Sequence, residues 1–332
     1  MKNNFCVSFI LFFVVSVVSI TARAQVVDTI SFRFATLEEA KVLVSTDDVF
    51  TKGWSEFDVV SRLQDLNGTK EDLLALKKEE VRDWTEKEKQ QVLDDMLEFN
   101  RIIRKEGYRL PFPEEVVLVK STMKDEGGAA GYTQANWIAL SDVFMERADD
   151  NSRRNLLLHE LSHILTRNSF GYKRRLYGAL GFKVFPDGLE YPDELLEMRI
   201  SNPDIGAYDS YGPFRINGHR ENCAMYMYSD VPYEGDVFFK YVKIAFVPYD
   251  SHLKPKRNAD ASLMFLLLSY RRGFTRCCAA GSAADASAGM SLPEQTRLSR
   301  HKTKTPDFSQ ARFEGDLVGI RTQDPQLRRL LL

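Results

Sequence analysis

The sequence predicts an α+β fold, and three observations predict it. The first third reads as a succession of capped amphipathic helices. A strongly periodic helix comes next, centred on Leu156 to Leu165. From Phe214 to Val247 the pattern turns aromatic and β-branched. The length of 332 residues allows one large domain or two small ones. A formal net charge of −2 indicates neither a nucleic-acid partner nor an anionic membrane surface.

Residues 1–24 read as a signal peptide. Lys2 supplies the positive start, Phe5 to Ile20 is an apolar run too short for a comfortable membrane span, and Ala22-Arg23-Ala24 is a cleavage site. The mature chain is then expected to start at Gln25 and to be exported, periplasmic or extracellular. No later stretch reads as a membrane span. Cys6 leaves with the signal, and Cys223, Cys277 and Cys278 do not make a disulfide framework.

Residues 25–110 read as a mainly helical unit that packs onto the rest of the chain. Val26 to Phe34 alternates like a strand. Thr36-Leu37-Glu38-Glu39 is a capping-box signature. A helix from Ser55 to Leu66 ends at Asn67-Gly68, and Thr69 caps the next. Thr85-Glu86-Lys87-Glu88 opens the longest helix, with Val92, Met96, Phe99 and Ile103 as its apolar stripe and Gly107 at its end. The charge run from Lys77 to Lys89 reads as a solvated face.

Residues 111–256 read as a second unit, built around the periodic helix. Pro111-Phe112-Pro113 breaks the chain, Val116 to Val119 is a strand, and Tyr132 to Leu140 is another. Asp149, Asp150 or Ser152 can cap the central helix, which ends near Asn168. Tyr172 to Leu180 is a second short helix, Pro192-Asp193-Glu194 a further helix start, and Asn202-Pro203-Asp204 a turn. Cys223 to Tyr228 and Phe238 to Val247 are strands. The domain is expected to end near Lys256. Residues 257–332 read as a low-complexity tail, disordered or spurious: Ala279 to Ala288 is rich in small residues, and Gly315 to Arg329 looks like a translated transfer-RNA gene.

The chemistry concentrates in Leu156-Leu157-Leu158-His159-Glu160-Leu161-Ser162-His163-Ile164-Leu165. On a helix, residues i and i+4 share a face, so His159 and His163 can offer two imidazole nitrogens to one metal ion. Glu160 lies beside them, placed to take a proton from a water activated by that ion. Zinc (Zn2+) suits the pattern: it accepts nitrogen ligands, needs a third protein ligand and keeps one position for water. Leu157, Leu161, Ile164 and Leu165 can face a core behind the histidines.

At these ten residues the sequence resembles the zincin metallopeptidases. A looser likeness, over roughly Val116 to Val247, is to poorly characterised bacterial proteins in which such a helix precedes a second short helix, an Asn-Pro-Asp turn and a strand-rich end. The resemblance implies a zincin-like twisted sheet with an edge strand beside the H-E-x-x-H helix. An extended peptide substrate would pair with that edge, and Tyr132 to Leu140 is in the right place. It also implies Glu160 as general base and proton donor.

The third ligand stays open between several residues. The metzincin continuation, H-E-x-x-H-x-x-G-x-x-H, needs Gly and His where Thr166 and Ser169 stand, which excludes that class. The thermolysin-like pattern needs a Glu on the next helix, and Tyr172 to Leu180 has none. Gly206-Ala207-Tyr208-Asp209-Ser210-Tyr211-Gly212 partly matches the deuterolysin-type pattern. Asp204, fixed by Pro203, ranks first, Glu190 second and Asp209 third. His219, Tyr208 or Tyr211 could steady an oxyanion. The expected function is an exported zinc-dependent hydrolase, a metallopeptidase acting on peptides or proteins. The alternatives are a zinc amidase for small or cell-wall substrates and a non-catalytic exported interaction protein.

Overall fold

The computed structural model describes residues 27–216, 219–264 and 266–267. The segment read as a signal peptide, and the tail from 268 onward, lie outside the described residues, as does the side chain of His219.

Side-chain caps set the helical frame of the first third. Strand β1 (Phe32–Phe34) leads into α1 (Leu37–Val44), α2 (Val49–Lys52), α3 (Glu56–Leu63), α4 (Lys70–Glu79), β2 (Val81–Arg82) and the long α5 (Glu86–Lys105). Thr36, Asp48, Ser55, Thr69 and Thr85 each accept a backbone N–H of the first turn, and the last three form reciprocal capping boxes. At four residues, α2 is too short to leave a periodic trace in the sequence. Val92, Met96, Phe99 and Ile103 are all buried, as their spacing requires.

The middle of the chain forms β3 (Val116–Ser121), β4 (Gly131–Gln134), β5 (Trp137–Ser141), α6 (Asp142–Arg147), α7 (Asp150–Asn168) and α8 (Phe170–Ala179). Strand β3 pairs in parallel with β1 and with β5, and its end pairs with β2. Strand β4 closes the sheet as an antiparallel edge on β5. The first third therefore supplies two strands of the sheet that supports α7. The alternation of β3 divides the core: Val116 and Leu118 face α5 and α7, whereas Val119 joins Ala40 and Val44 on the opposite face. With both faces covered, the central strands are apolar on both sides.

A second, all-antiparallel sheet completes the fold, in the order β10-β9-β8-β7-β6. Its strands are β6 (Lys183–Val184), β7 (Ser210–Ile216), β8 (His219–Tyr228), β9 (Lys243–Pro248) and β10 (Leu266–Leu267). The molecule is thus mixed α and β, consistent with the expected α+β class: helices interleave with the strands of the first sheet, and the second sheet lies in the last part of the described chain. Among the described residues no helix is long and apolar enough to cross a membrane.

Several expectations change. The single strand Tyr132 to Leu140 is a hairpin, β4 and β5, turning at Ala135 and Asn136. Ala135 takes a left-handed φ of 42°, so no glycine or proline marks the turn in the sequence. Phe238 to Lys240 is a 3-10 turn before β9, because Phe238 packs against Phe57 and Ile200 rather than into the sheet. The helix start at Pro192 yields one 3-10 turn, Asp193–Leu195. The expected end near Lys256 falls inside packed structure: Leu263 is buried against the second sheet and β10 pairs with β9. Lys77, read as part of a solvated run, is buried, with Nζ 2.6 Å from Asp125 Oδ2. That partner comes from a distant turn, which helical periodicity cannot reveal.

Candidate metal centre

Helix α7 is fixed at its start by Asp149, which accepts the Ser152 N–H at 2.7 Å. Arg153 and Arg154 then donate to the two oxygens of the buried Asp95 on α5, at 2.6 and 2.8 Å. Leu157, Leu161, Ile164 and Leu165 bury the back of the helix. The opposite face presents the histidines. His159 Nε2 and His163 Nε2 stand 3.1 Å apart, with the rings edge to face. Two nitrogens each about 2.0–2.1 Å from a tetrahedral zinc would be about 3.3 Å apart, so the pair has the right bite.

Donor atoms of Glu160, His163 and Asp204 lie within 4.8 Å of one another. Asp204 reaches the helix from the Asn-Pro-Asp turn. Its Oδ1 accepts the backbone N–H of Thr133 on β4 at 2.7 Å, and the Thr133 hydroxyl lies 3.1 Å away. The turn is tightened by Asn202, whose Oδ1 accepts the Asp204 N–H.

Glu160 is buried, and its Oε2 makes no hydrogen bond. Its Oε1 faces β4: a methyl placed at Gly131 would sit 3.2 Å from it. Burial, with the Asp204 charge adding to it, raises the Glu160 carboxyl well above the ordinary range, against a smaller opposing pull from Arg167. Burial likewise pushes the His163 imidazole down to about 4, although Asp204 works the other way.

These directions make a prediction for the chain stripped of metal. The ordinary histidine value is 6.5. A lowered folded-state value means that the His163 contribution to stability is full above 6.5 and is lost as pH falls towards about 4. Glu160 acts oppositely: its contribution is full below 4.5 and fades as pH rises through its raised value. An NMR titration should find His163 neutral down to about pH 4. A midpoint at the ordinary value would show that the ring is solvated.

The other candidate residues are placed elsewhere. Both oxygens of Asp209 accept Lys173 Nζ, at 2.7 and 2.8 Å. The Glu190 side chain is exposed and pairs with Lys254, while its carbonyl accepts the Tyr249 hydroxyl. Tyr208 and Tyr211 pack among the aromatic side chains of the second sheet, against Tyr191, Tyr226 and Phe185. Sequence reasoning misses three parts of the arrangement. One is Thr133. Another is Arg167, whose guanidinium donates to the carbonyls of Thr133, Ala135 and Asp204. Arg167 sits four residues after His163, on the histidine face, and that spacing is the available signal. The third is the anchor of the turn: Asp58 accepts the Ser201 N–H and hydroxyl, and Arg62 Nη2 donates to the Ser201 carbonyl at 2.6 Å.

No family model, curated protein or solved structure matches the chain. Among the described residues the donor atoms that come together are those of Glu160, His163 and Asp204, with His159 beside His163, and imidazole and carboxylate donors of this kind fit zinc in their chemistry.

Proposed function

We propose that the protein is a zinc-dependent hydrolase of peptide or related amide bonds, exported by the segment 1–24. His159, His163 and Asp204 are the proposed ligands and Glu160 the proposed general base. The observation that carries the reading is the 3.1 Å histidine pair standing beside a buried carboxyl, Glu160, whose Oε2 makes no hydrogen bond. The likeness of the H-E-x-x-H helix to the zincins supports it.

His159, His163 and Asp204 would hold the ion, which when bound would supply a water with a pKa of about 7 and polarise the scissile carbonyl. Glu160 takes the proton of the attacking water. Its raised proton affinity suits it to hold that proton and to pass it to the leaving amine. Thr133 holds one oxygen of Asp204, which fixes the direction of the carboxylate. Arg167 ties the Asp204 turn to the end of α7.

One observation favours a second ligand set. Donor atoms of Glu160, His163 and Asp204 come within 4.8 Å of one another as a group of three that does not include His159, which would make Glu160 a ligand and leave His159 outside. The two sets differ in whether Glu160→Gln keeps zinc.

The hydrolase reading is tested with a mixed-sequence peptide library and a panel of small acyl amides. Activity is expected in the purified full chain, lost on treatment with a chelator and restored by zinc. Hydrolysis that survives complete zinc removal, or no hydrolysis with zinc bound, would contradict it.

A further inference from the structure

The open edge of β4 carries information about what can lie beside the centre. Its pairing is fixed by the register Tyr132↔Ala139 and by the Ser141 N–H donating to the Ala130 carbonyl at 2.9 Å. Hydrogen-bonding direction alternates along a strand. Ala130, Tyr132 and Gln134 therefore direct their backbone groups at β5, and Gly131 and Thr133 direct theirs outward. Only these two residues of β4 can receive an added strand.

Thr133 is already taken on both sides. Its N–H donates to Asp204 Oδ1 at 2.7 Å, and its carbonyl accepts Arg167 Nη2 at 3.3 Å. The next carbonyl, of Ala135, accepts Arg167 Nη1 at 3.0 Å. Gly131 remains, and it is the residue beside Glu160. We infer that the centre acts on substrates that pair with β4 at one residue only: short peptides, or the end of a longer chain, and not internal bonds of an extended polypeptide.

This inference rests on the proposed hydrolase function and narrows its substrate class. An extended chain laid along β4 gains a backbone pair at Gly131 and then meets the Asp204 turn. Lifting that turn frees Thr133 but withdraws a proposed zinc ligand. The restriction is therefore tied to the metal site itself, and it is not a loop that can swing aside at no cost to metal binding. It also departs from the expectation that an extended peptide pairs along this edge.

Two measurements on the zinc-loaded full chain decide it. In amide hydrogen exchange, Thr133 should be protected at least about tenfold more than Gly131, despite lying on an edge, and Asp204→Ala, compared with the parent with both freed of metal, should remove that protection. In a digest of peptides from tripeptides to decapeptides, products should differ from substrates by one or two residues at one end. kcat/KM should not rise with length on the side that runs towards Thr133. Internal fragments from the longer peptides, or a Thr133 amide as open as Gly131, would overturn the inference while leaving the hydrolase reading in place. Absence of hydrolysis on every peptide and amide would overturn both.

Discussion

Glu160→Gln should keep zinc and lower kcat by roughly 10²–10⁴-fold. The substitution preserves shape in a buried position and removes only the ability to accept a proton. Glu160 Oε2 has no hydrogen-bond partner, and burial raises the carboxyl's proton affinity. A group so placed is poised for proton transfer, and an amide there is inert. The same variant separates the two ligand sets. If Glu160 binds the metal with His163 and Asp204, the amide will cost zinc affinity as well as rate. Activity within a few-fold of the parent would remove Glu160 from the mechanism.

Arg62→Met should destabilise the fold by about 3–5 kcal/mol, read from the midpoint of urea unfolding. Arg62 is buried and donates to Asp58 on α3 and to Glu126, with a further bond to the Ser201 carbonyl. Lys77 stands beside it, joined to Asp125 and close to the Tyr132 hydroxyl. Burial works against the Arg62 charge, but Glu126 and Asp58 outweigh it and raise its proton affinity. Burial raises Glu126, with Arg62 and Lys77 opposing. Removing the guanidinium leaves three buried carboxylates, Asp58, Asp125 and Glu126, with Lys77 as the one cation beside them, and Asp58 loses its only cationic partner. Because Ser201 lies three residues before Asp204, zinc affinity should fall in parallel. Arg62→Lys should recover only part of both, since an ammonium cannot span Asp58, Glu126 and Ser201 in a fixed fork. A loss of stability below about 1 kcal/mol would mean that water reaches the cluster.

Legibility in the sequence tracks the range of the interaction involved. The caps at Thr36, Thr69 and Thr85 are legible because a cap is closed within four residues. The stripe of α5 and the apolar back of α7 are legible because one helix face carries them. The His159, Glu160 and His163 constellation is local in the same sense. Asp204 is legible only through the resemblance and its proline; its partner Thr133 is 71 residues away. Arg62 and Ser201 are separated by 139, and Lys77 and Asp125 by 48. No periodicity links such pairs, and a lysine in a charged run reads as solvated until its carboxylate partner is seen. The β4–β5 turn escapes for another reason: Ala135 adopts a conformation that its residue type does not advertise.

Zinc content of the purified full chain, measured by mass spectrometry under native conditions, bears most directly on the proposed centre. The parent protein should carry stoichiometric zinc. His159→Ala, His163→Ala and Asp204→Ala should each lose most of it while keeping the parent circular-dichroism spectrum. A parent chain without zinc, or an Asp204→Ala variant that retains it fully, would contradict the assignment of the centre.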